Sequence, residues 1–452
     1  EGNLVHSYSF TEDFGTTLLA HGTIMNNTID NNGDGFLDIP QRSQINIFNR
    51  WRYANEYTMV QLGIKALTEE RIAGENNFRT SQSIARWNPY GITVNTERYE
   101  AFFKSGHVLD DNEKYHLAFF GTYQTHSQRS LFGLRHYNGK EYTVTARAVF
   151  TAKFDDNFSI VSGTSYLADN IEEIFDVSNL SRTESVPGIF AEATIKPEKK
   201  WTVLTGIRYD RHNIAGDLII PRMMVKYDID EQSTIRFSAG KGLRFANIFA
   251  ENVAFLASSR TITIPVSLQP EESWNIGIGT VVYFSVFDKM FTLDADIFRT
   301  EFINQVISDL DISPNVVYFT NTSGSFSNSA QIRLQGEIYS ALTLAVAYRF
   351  NDVQFTTNGT LQQRALYSPH KSFFSISYAP SDWQFDATWT YRSGGRIPFV
   401  AAKHSLGSDE SHDYATSFDG FSIVNMQAQY TFMGVELYAG VENLLDTMQH
   451  HP

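Results

Sequence analysis

The sequence predicts an all-β fold, a transmembrane antiparallel β-barrel with about 20 strands, and three observations carry that prediction. Aromatic residues make up 14% of the 452 residues, with 35 Phe and 22 Tyr, yet the mean hydropathy is only −0.26. Apolar and polar residues alternate at period two in one segment after another, the pattern of strands with one apolar and one wet face. Short turn-like joints and longer polar connections also take turns along the chain. No run approaches the ~18 apolar residues of a membrane helix.

The alternation is clearest in four segments. In "YTVTARAVFT", Tyr142, Val144, Ala146, Ala148 and Phe150 share one face, against Thr143, Thr145, Arg147, Val149 and Thr151. In "FTLDADIF", Phe291, Leu293, Ala295 and Ile297 oppose Thr292, Asp294, Asp296 and Phe298. "QFDATWTYR" sets Phe385, Ala387, Trp389 and Tyr391 against Gln384, Asp386, Thr388, Thr390 and Arg392. "MGVELYAGVE" sets Met433, Val435, Leu437, Ala439 and Val441 against Gly434, Glu436, Tyr438, Gly440 and Glu442. Half-buried strands of a soluble sandwich alternate in the same way. Here the polar faces are charged strand after strand, and the segments are too many for a sandwich.

Short joints are expected near Thr11–Phe14, Ala54–Glu56, Asp110–Glu113, Asp155–Asn157, Lys196–Lys200, Asp228–Ser233, Phe287–Lys289, Ser340–Ala341, Pro380–Asp382 and Met433. Longer polar connections are expected near 28–42, 71–90, 127–140, 169–183, 212–218, 243–272, 303–316, 356–369 and 395–420. Outer-membrane barrels alternate short periplasmic turns with long extracellular loops in this way. Residues 1–452 then form one barrel domain, beginning and ending outside the cell. A closed barrel needs an even strand number and no open edge, so the first and last strands of about 22 are expected to lie beyond this sequence.

Near the start, "DNNGDGFLD" places oxygen side chains at Asp30, Asn32, Asp34 and Asp38, positions 1, 3, 5 and 9 of an EF-hand-type loop. Gly35 takes the sharp-turn position, and the Phe36 carbonyl would complete the set. This loop is a candidate for a structural calcium on the outer side. A polar turn is the plainer reading, because Asn-Gly and Asp-Gly are turn dipeptides, and Gln41 stands where a bidentate Glu would be. No other cofactor is expected. His404 and His412, with Asp409, Glu410 and Asp413, lie in one outer connection that could form a metal-capturing patch but reads as a solvated loop; His450 and His451 are adjacent and point apart if extended.

Other chemistry is thinly supported. The net charge of −14 argues against a nucleic-acid partner. The absence of cysteine excludes disulfides and thiolate metal sites. No HExxH, P-loop or GxSxG is present, so an enzyme is not expected.

With the strands in place, the chain resembles the TonB-dependent outer-membrane receptors. "SAGKGLRFANIFAEN" (Ser238 to Asn252) is similar to that family's Gly-x-Gly-hydrophobic-Arg segment, and "LQPEESWNIGIG" (Leu268 to Gly279) to its Leu-x-Pro-Glu pattern. "YFTNTSGSFSNSAQIRLQGEI" (Tyr318 to Ile338) resembles the stretch in which Tyr and Asn precede Gly and Glu. "YSPHKSFFSISY" (Tyr367 to Tyr378) resembles its Pro-His segment, and "GVENLLD" (Gly440 to Asp446) its Asn-Leu-Leu-Asp element. The five stand in the family's order and cover the C-terminal half. "DNNGDGFLDIP" followed by "NIFNRWRY" is similar to family members from Bacteroidota. The motif residues read as structural: Gly240 and Gly242 for a close backbone approach or bend, Asn443 and Asp446 for backbone groups at a strand end.

The resemblance implies an outer-membrane receptor in a Gram-negative bacterium, with membrane lipid around it and the TonB complex acting through an N-terminal plug that is not in this sequence. The implied cargo is a scarce nutrient: an iron chelate, cobalamin, another metal complex, a glycan or a peptide. The aromatic stretches Phe78–Tyr90 and Phe132–Tyr142 are candidate contact surfaces, and aromatic girdles and loop packing explain them equally well. A passive outer-membrane porin is the alternative, and a soluble β-rich binding protein a third reading that explains neither the loops nor the outward aromatics.

Overall fold

The structure is a computed structural model that describes residues 1–80, 89–264, 268–357, 359–398 and 416–448. Among these residues 22 strands join in one antiparallel sheet. Two of them, Ser178–Asn179 and Thr360–Gln363, are short hairpin arms, which leaves 20 main strands. All ten short joints fall between strands where the sequence puts them. Several close by the same chemistry. Asp110, Asp155 and Asp230 each accept two backbone amides through Oδ1, from Lys114 and Tyr115, Asn157 and Phe158, and Gln232 and Ser233, at 2.7–2.9 Å. Side-chain carboxylates that mimic a turn carbonyl are why Asp is favoured there.

The chain divides into two units. The first comprises Glu1–Thr194, Gly206–Ile220 and Asn247–Ser259. In it, Gly2–Ser9, Phe14–Met25, Gln41–Ala54, Thr58–Gly74, Gly91–Val108, Tyr115–Phe132, Arg135–Lys153 and Phe158–Phe175 each pair with the next. Register aligns Trp51, Leu62, Phe103, Gly121, Ala146 and Tyr166 across six strands. The other face carries Lys65, Glu100, Gln124, Thr143 and Asp169 in one row. A slip of one residue would exchange these faces, so the alternation specifies the register.

The second unit comprises Ile195–Thr205, Pro221–Ala246 and Arg260–Pro452. Its strands Thr234–Arg244, Glu271–Val286, Lys289–Phe302, Ser325–Tyr339, Leu342–Thr357, His370–Tyr378, Trp383–Arg392, Phe421–Phe432 and Val435–Val441 also pair in sequence. Val282, Leu293, Leu334, Val346, Phe374, Trp389 and Val424 form an apolar row. Val346 is 46% exposed and nearby Ile297 61%. An apolar belt this continuous exceeds what a soluble surface carries and suits hydrocarbon. Aromatic rings gather beside the short turns in both units: Phe10–Phe14 at 5.1 Å and Phe154–Phe158 at 5.2 Å in the first, Trp201–Tyr227 at 4.7 Å and Trp383–Tyr430 at 4.6 Å in the second. That is the position of an interfacial girdle.

Three of the expected long connections are instead strand. The windows 127–140, 169–183 and 212–218 close in hairpins at Gly133–Leu134, Asp176–Val177 and Asn213–Ala215. Thr58–Gly74 has 17 residues and Arg135–Lys153 has 19, well beyond the ~9–11 that cross hydrocarbon. The outer halves are polar on both faces, so their hydropathy reads as loop although their backbone is paired.

Cross-strand pairs in both units place a phenylalanine over a glycine. Gly63 lies directly opposite Phe102, and Gly277 directly opposite Phe298. In both, a Cβ on the glycine would overlap the ring. The ring covers backbone that a bare glycine leaves open, which restores packing to the strand. Gly240 and Gly242, by contrast, show no close approach: a Cβ there meets its neighbours at ordinary contact distances, 3.6 Å and 3.4 Å.

Candidate functional site

The Asp30–Asp38 loop joins Phe14–Met25 to Gln41–Ala54. Asp30 accepts the Gly33 amide at 2.8 Å through Oδ1, and the Gly35 amide and Asn76 Nδ2, both at 3.1 Å, through Oδ2. Asp34 Oδ1 accepts the Phe36 amide at 2.8 Å, and Asp38 Oδ2 the Asn31 amide at 2.7 Å. Asn32 Oδ1 takes the Asp34 amide at 3.1 Å. Gly35 adopts φ 85°, the left-handed conformation its position demands. The loop also docks on the next hairpin, with Leu37 donating to the Gly74 carbonyl at 2.9 Å and Asn76 to that of Gly35 at 2.8 Å. Among the described residues no three His, Asp or Glu side chains gather into a metal-holding group.

The largest fully buried side chains belong to outer connections, where two small cores form. In the first unit, Asn247–Ser259 carries two helical turns, Ile248–Glu251 and Val253–Leu256. Phe249 and Leu256 are 0% exposed. The Phe249 ring sits 5.5 Å from Phe175 and 6.4 Å edge-on to Tyr137. Polar ties hold the segment's length: Ala250 donates its amide to Glu173 Oε1 at 2.8 Å, Tyr90 Oη to the Ala257 carbonyl at 3.1 Å, and Arg135 Nη1 to that of Ser258 at 3.1 Å. Arg182 reaches Asn247 Oδ1 and pairs with Glu184 at 2.6 Å, and Glu184 in turn faces His212 Nε2 at 3.3 Å. Arg208 pairs with Asp210 at 2.7 Å.

Glu173 sits beneath this segment, beyond the span that hydrocarbon would cover. It also accepts the Tyr137 hydroxyl at 3.2 Å, and its buried Oε2 accepts no hydrogen bond among the described residues. Burial pushes its carboxyl above the ordinary value of 4.5, against the opposite pull of the Ala250 amide and the Tyr137 hydroxyl. The folded state therefore holds the proton more tightly than the unfolded state. Stability from this group is greatest below 4.5 and is lost as pH rises through the raised folded value. Amide exchange of Ile248–Leu256, corrected for the intrinsic rate, is expected to quicken as pH rises above 4.5 through the raised folded value. Glu173→Gln keeps the Ala250 bond and should remove that dependence; an identical pH slope in the variant would refute it.

The second unit has its own outer core. Thr261–Thr263 and Gln305–Asp309 flank Val316–Thr322 in a three-stranded sheet that buries Val317 at 0% and Phe319 at 2% exposure. Arg396 binds Asp311 with two nitrogens at 2.7 and 2.9 Å and donates Nε to the Gln363 carbonyl at 2.9 Å. Motif residues act at the edge of this region. Arg244 and Glu271 are direct register partners joined at 2.5 Å, while Glu271 Oε1 accepts the Val306 amide at 2.9 Å. Asn443 satisfies backbone as expected, bonding both the amide and the carbonyl of Thr447 at 3.1 Å.

Phe132 and Tyr137, expected in an outer contact surface, are 5% and 3% exposed. They are packing residues, which local sequence could not distinguish from binding aromatics. Of the Phe78–Tyr90 stretch, residues 81–88 lie outside the described residues, as do His404, Asp409, Glu410, His412, Asp413, His450 and His451.

On the polar face of the second unit, Arg333, Arg349, Lys371 and Arg392 line a recess of about 470 Å³. Sequence reasoning finds only Arg392 on a polar face, because the four come from four strands.

A family profile described as "TonB dependent receptor-like, beta-barrel" matches residues 3–444. No curated protein sequence matches the chain. Among solved structures, a mutant of the ferric enterobactin receptor PfeA from Pseudomonas aeruginosa superposes with TM-score 0.72 at 12% identity, covering 98% of this chain and 71% of that one. The siderophore receptor PirA from Acinetobacter baumannii gives 0.70 at 11%, covering 97% and 72%. The ferric-catecholate import receptor Fiu from E. coli K12 gives 0.69 at 13%, covering 98% and 75%.

Proposed function

Because the chain belongs to the TonB-dependent receptor family, we propose that it is the barrel of a Gram-negative outer-membrane receptor that captures a ferric chelate and conducts it inward, energised through TonB. The observation that carries this reading is the family match across residues 3–444. The apolar belt and the aromatic girdle would meet lipid, and the polar face would line the lumen. Capture belongs to the outer hairpins and the segments docked on them, which carry the chain's irregular structure. An iron chelate is the cargo favoured, since the similar structures include receptors for ferric enterobactin and ferric catecholates.

Tryptophan quenching of protein purified from outer membranes tests the capture step. A ferric catecholate should quench saturably and its iron-free form weakly. Equal quenching by both, or by neither, would contradict ferric-chelate capture.

For Asp30–Asp38 we propose a structural calcium taken from outside, held by Asp30, Asn32, Asp34, Asp38 and the Phe36 carbonyl. Calcium would share oxygens that now accept amides, so its effect is local. Wild type should melt higher in calcium than in chelator, and Asp34→Asn should melt alike in both. Identical wild-type melts in calcium and chelator would leave the loop closed by hydrogen bonds alone.

A further inference from the structure

We propose that the recess lined by Arg333, Arg349, Lys371 and Arg392 is a binding station for a small polyanion, one bearing two or more carboxylate, phosphate or phenolate oxygens. Register puts Arg349 directly opposite Lys371, and Lys371 directly opposite Arg392. Three cations thus stand side by side on neighbouring strands, and like charges in directly opposed positions oppose folding. Arg333 joins them from the strand before, on the same face. Among the described residues none of the four is ion-paired. Arg333 donates to Gln335 at 2.6 Å, Arg349 to Asn351 at 3.2 Å, and the Lys371 ammonium lies 5.8 Å from the Tyr367 ring.

Three directly opposed cations in a recess lined by no carboxylate are what point to a ligand. In the first unit several polar-face cations close ion pairs within the sheet: Arg98 and Lys65 with Glu100, Arg182 with Glu184, Arg208 with Asp210. In the second unit the nearest carboxylates on this face, Asp294 and Asp296, lie at one edge, as register partners of Arg333 and Gln331, and close no ion pair with the four. A recess walled by one sign of charge focuses field and concentrates counter-ions. Its guanidinium groups present paired N–H donors suited to carboxylate, phosphate or phenolate oxygens. As a step on the cargo's path the station rests on the receptor reading; its chemistry does not.

Isothermal titration of the detergent-purified chain with citrate and with inorganic pyrophosphate tests it. Saturable binding of at least one probe is expected, weakening steeply with salt. Arg349→Gln and Lys371→Gln should each weaken it about tenfold or more. Arg349→Lys, which keeps the charge, should lose less. Arg98→Gln, at one of these ion pairs, serves as the folding control and should bind as wild type. Absence of saturable binding by either probe, or equal affinity in Arg349→Gln and wild type, would overturn the proposal. The titration needs neither iron nor membrane energy, so its failure is distinct from a failure of iron uptake.

Discussion

Phe249→Ala is expected to undock the whole Asn247–Ser259 segment. The ring is fully buried against Phe175 and Tyr137, and both turns of the segment are too short to be stable by themselves. Truncating a buried Phe costs about 3–5 kcal/mol. That is comparable to what the remaining hydrogen bonds and Leu256 can hold against chain entropy, so the loss should be felt beyond the cavity. Amides of Ile248–Leu256 should exchange on the order of a hundred- to a thousandfold faster. Exchange within the paired strands should not change. If the segment stayed protected in the variant, its docking would depend on the polar ties rather than on the ring.

Gly277→Val should destabilise the wall of the second unit. The Phe298 ring occupies the space of the missing side chain, so valine forces the ring off its strand partner. Overpacking of this kind costs about 1–3 kcal/mol. The double variant with Phe298→Ala should recover the steric part, giving a coupling of roughly that size in urea unfolding. A Gly277→Val protein as stable as wild type would mean that the ring can leave without loss. Phe298 would then not be covering the strand in any useful sense.

These two positions also mark what could and could not be read from the amino acids. The short turns were legible because turn signals are local: the Asp or Asn that closes several of them accepts amides two to five residues away and needs no partner from elsewhere. The faces were legible because period two is a property of consecutive residues, and Leu293, Leu334 and Val346 do meet as the alternation implies. The outer hairpins at Gly133–Leu134 and Asp176–Val177 were not, since a strand polar on both faces carries no hydropathy signal. Local sequence left loop packing and ligand contact equally open for Tyr137, since the Phe249 ring that packs on it lies more than a hundred residues downstream.

The basic recess was hidden by register. Arg333, Arg349, Lys371 and Arg392 are scattered in sequence, and only strand pairing assembles them. A signal existed nonetheless. Counted from the short turns at Ser340–Ala341 and Pro380–Asp382, which the sequence does locate, all four stand at similar heights on the polar face. The Asp30–Asp38 spacing was legible as a calcium pattern, but spacing alone does not say whether amides or a cation take the oxygens.

The most direct test of the central claim is accumulation of radio-iron, supplied as a ferric catecholate, by cells that carry the gene for this chain and by cells that lack it. Energised cells with the gene should accumulate iron well above those without it, and an uncoupler should abolish the difference while leaving surface binding in the cold. Equal accumulation with and without the gene, or uptake indifferent to the uncoupler, would contradict an energised ferric-chelate receptor.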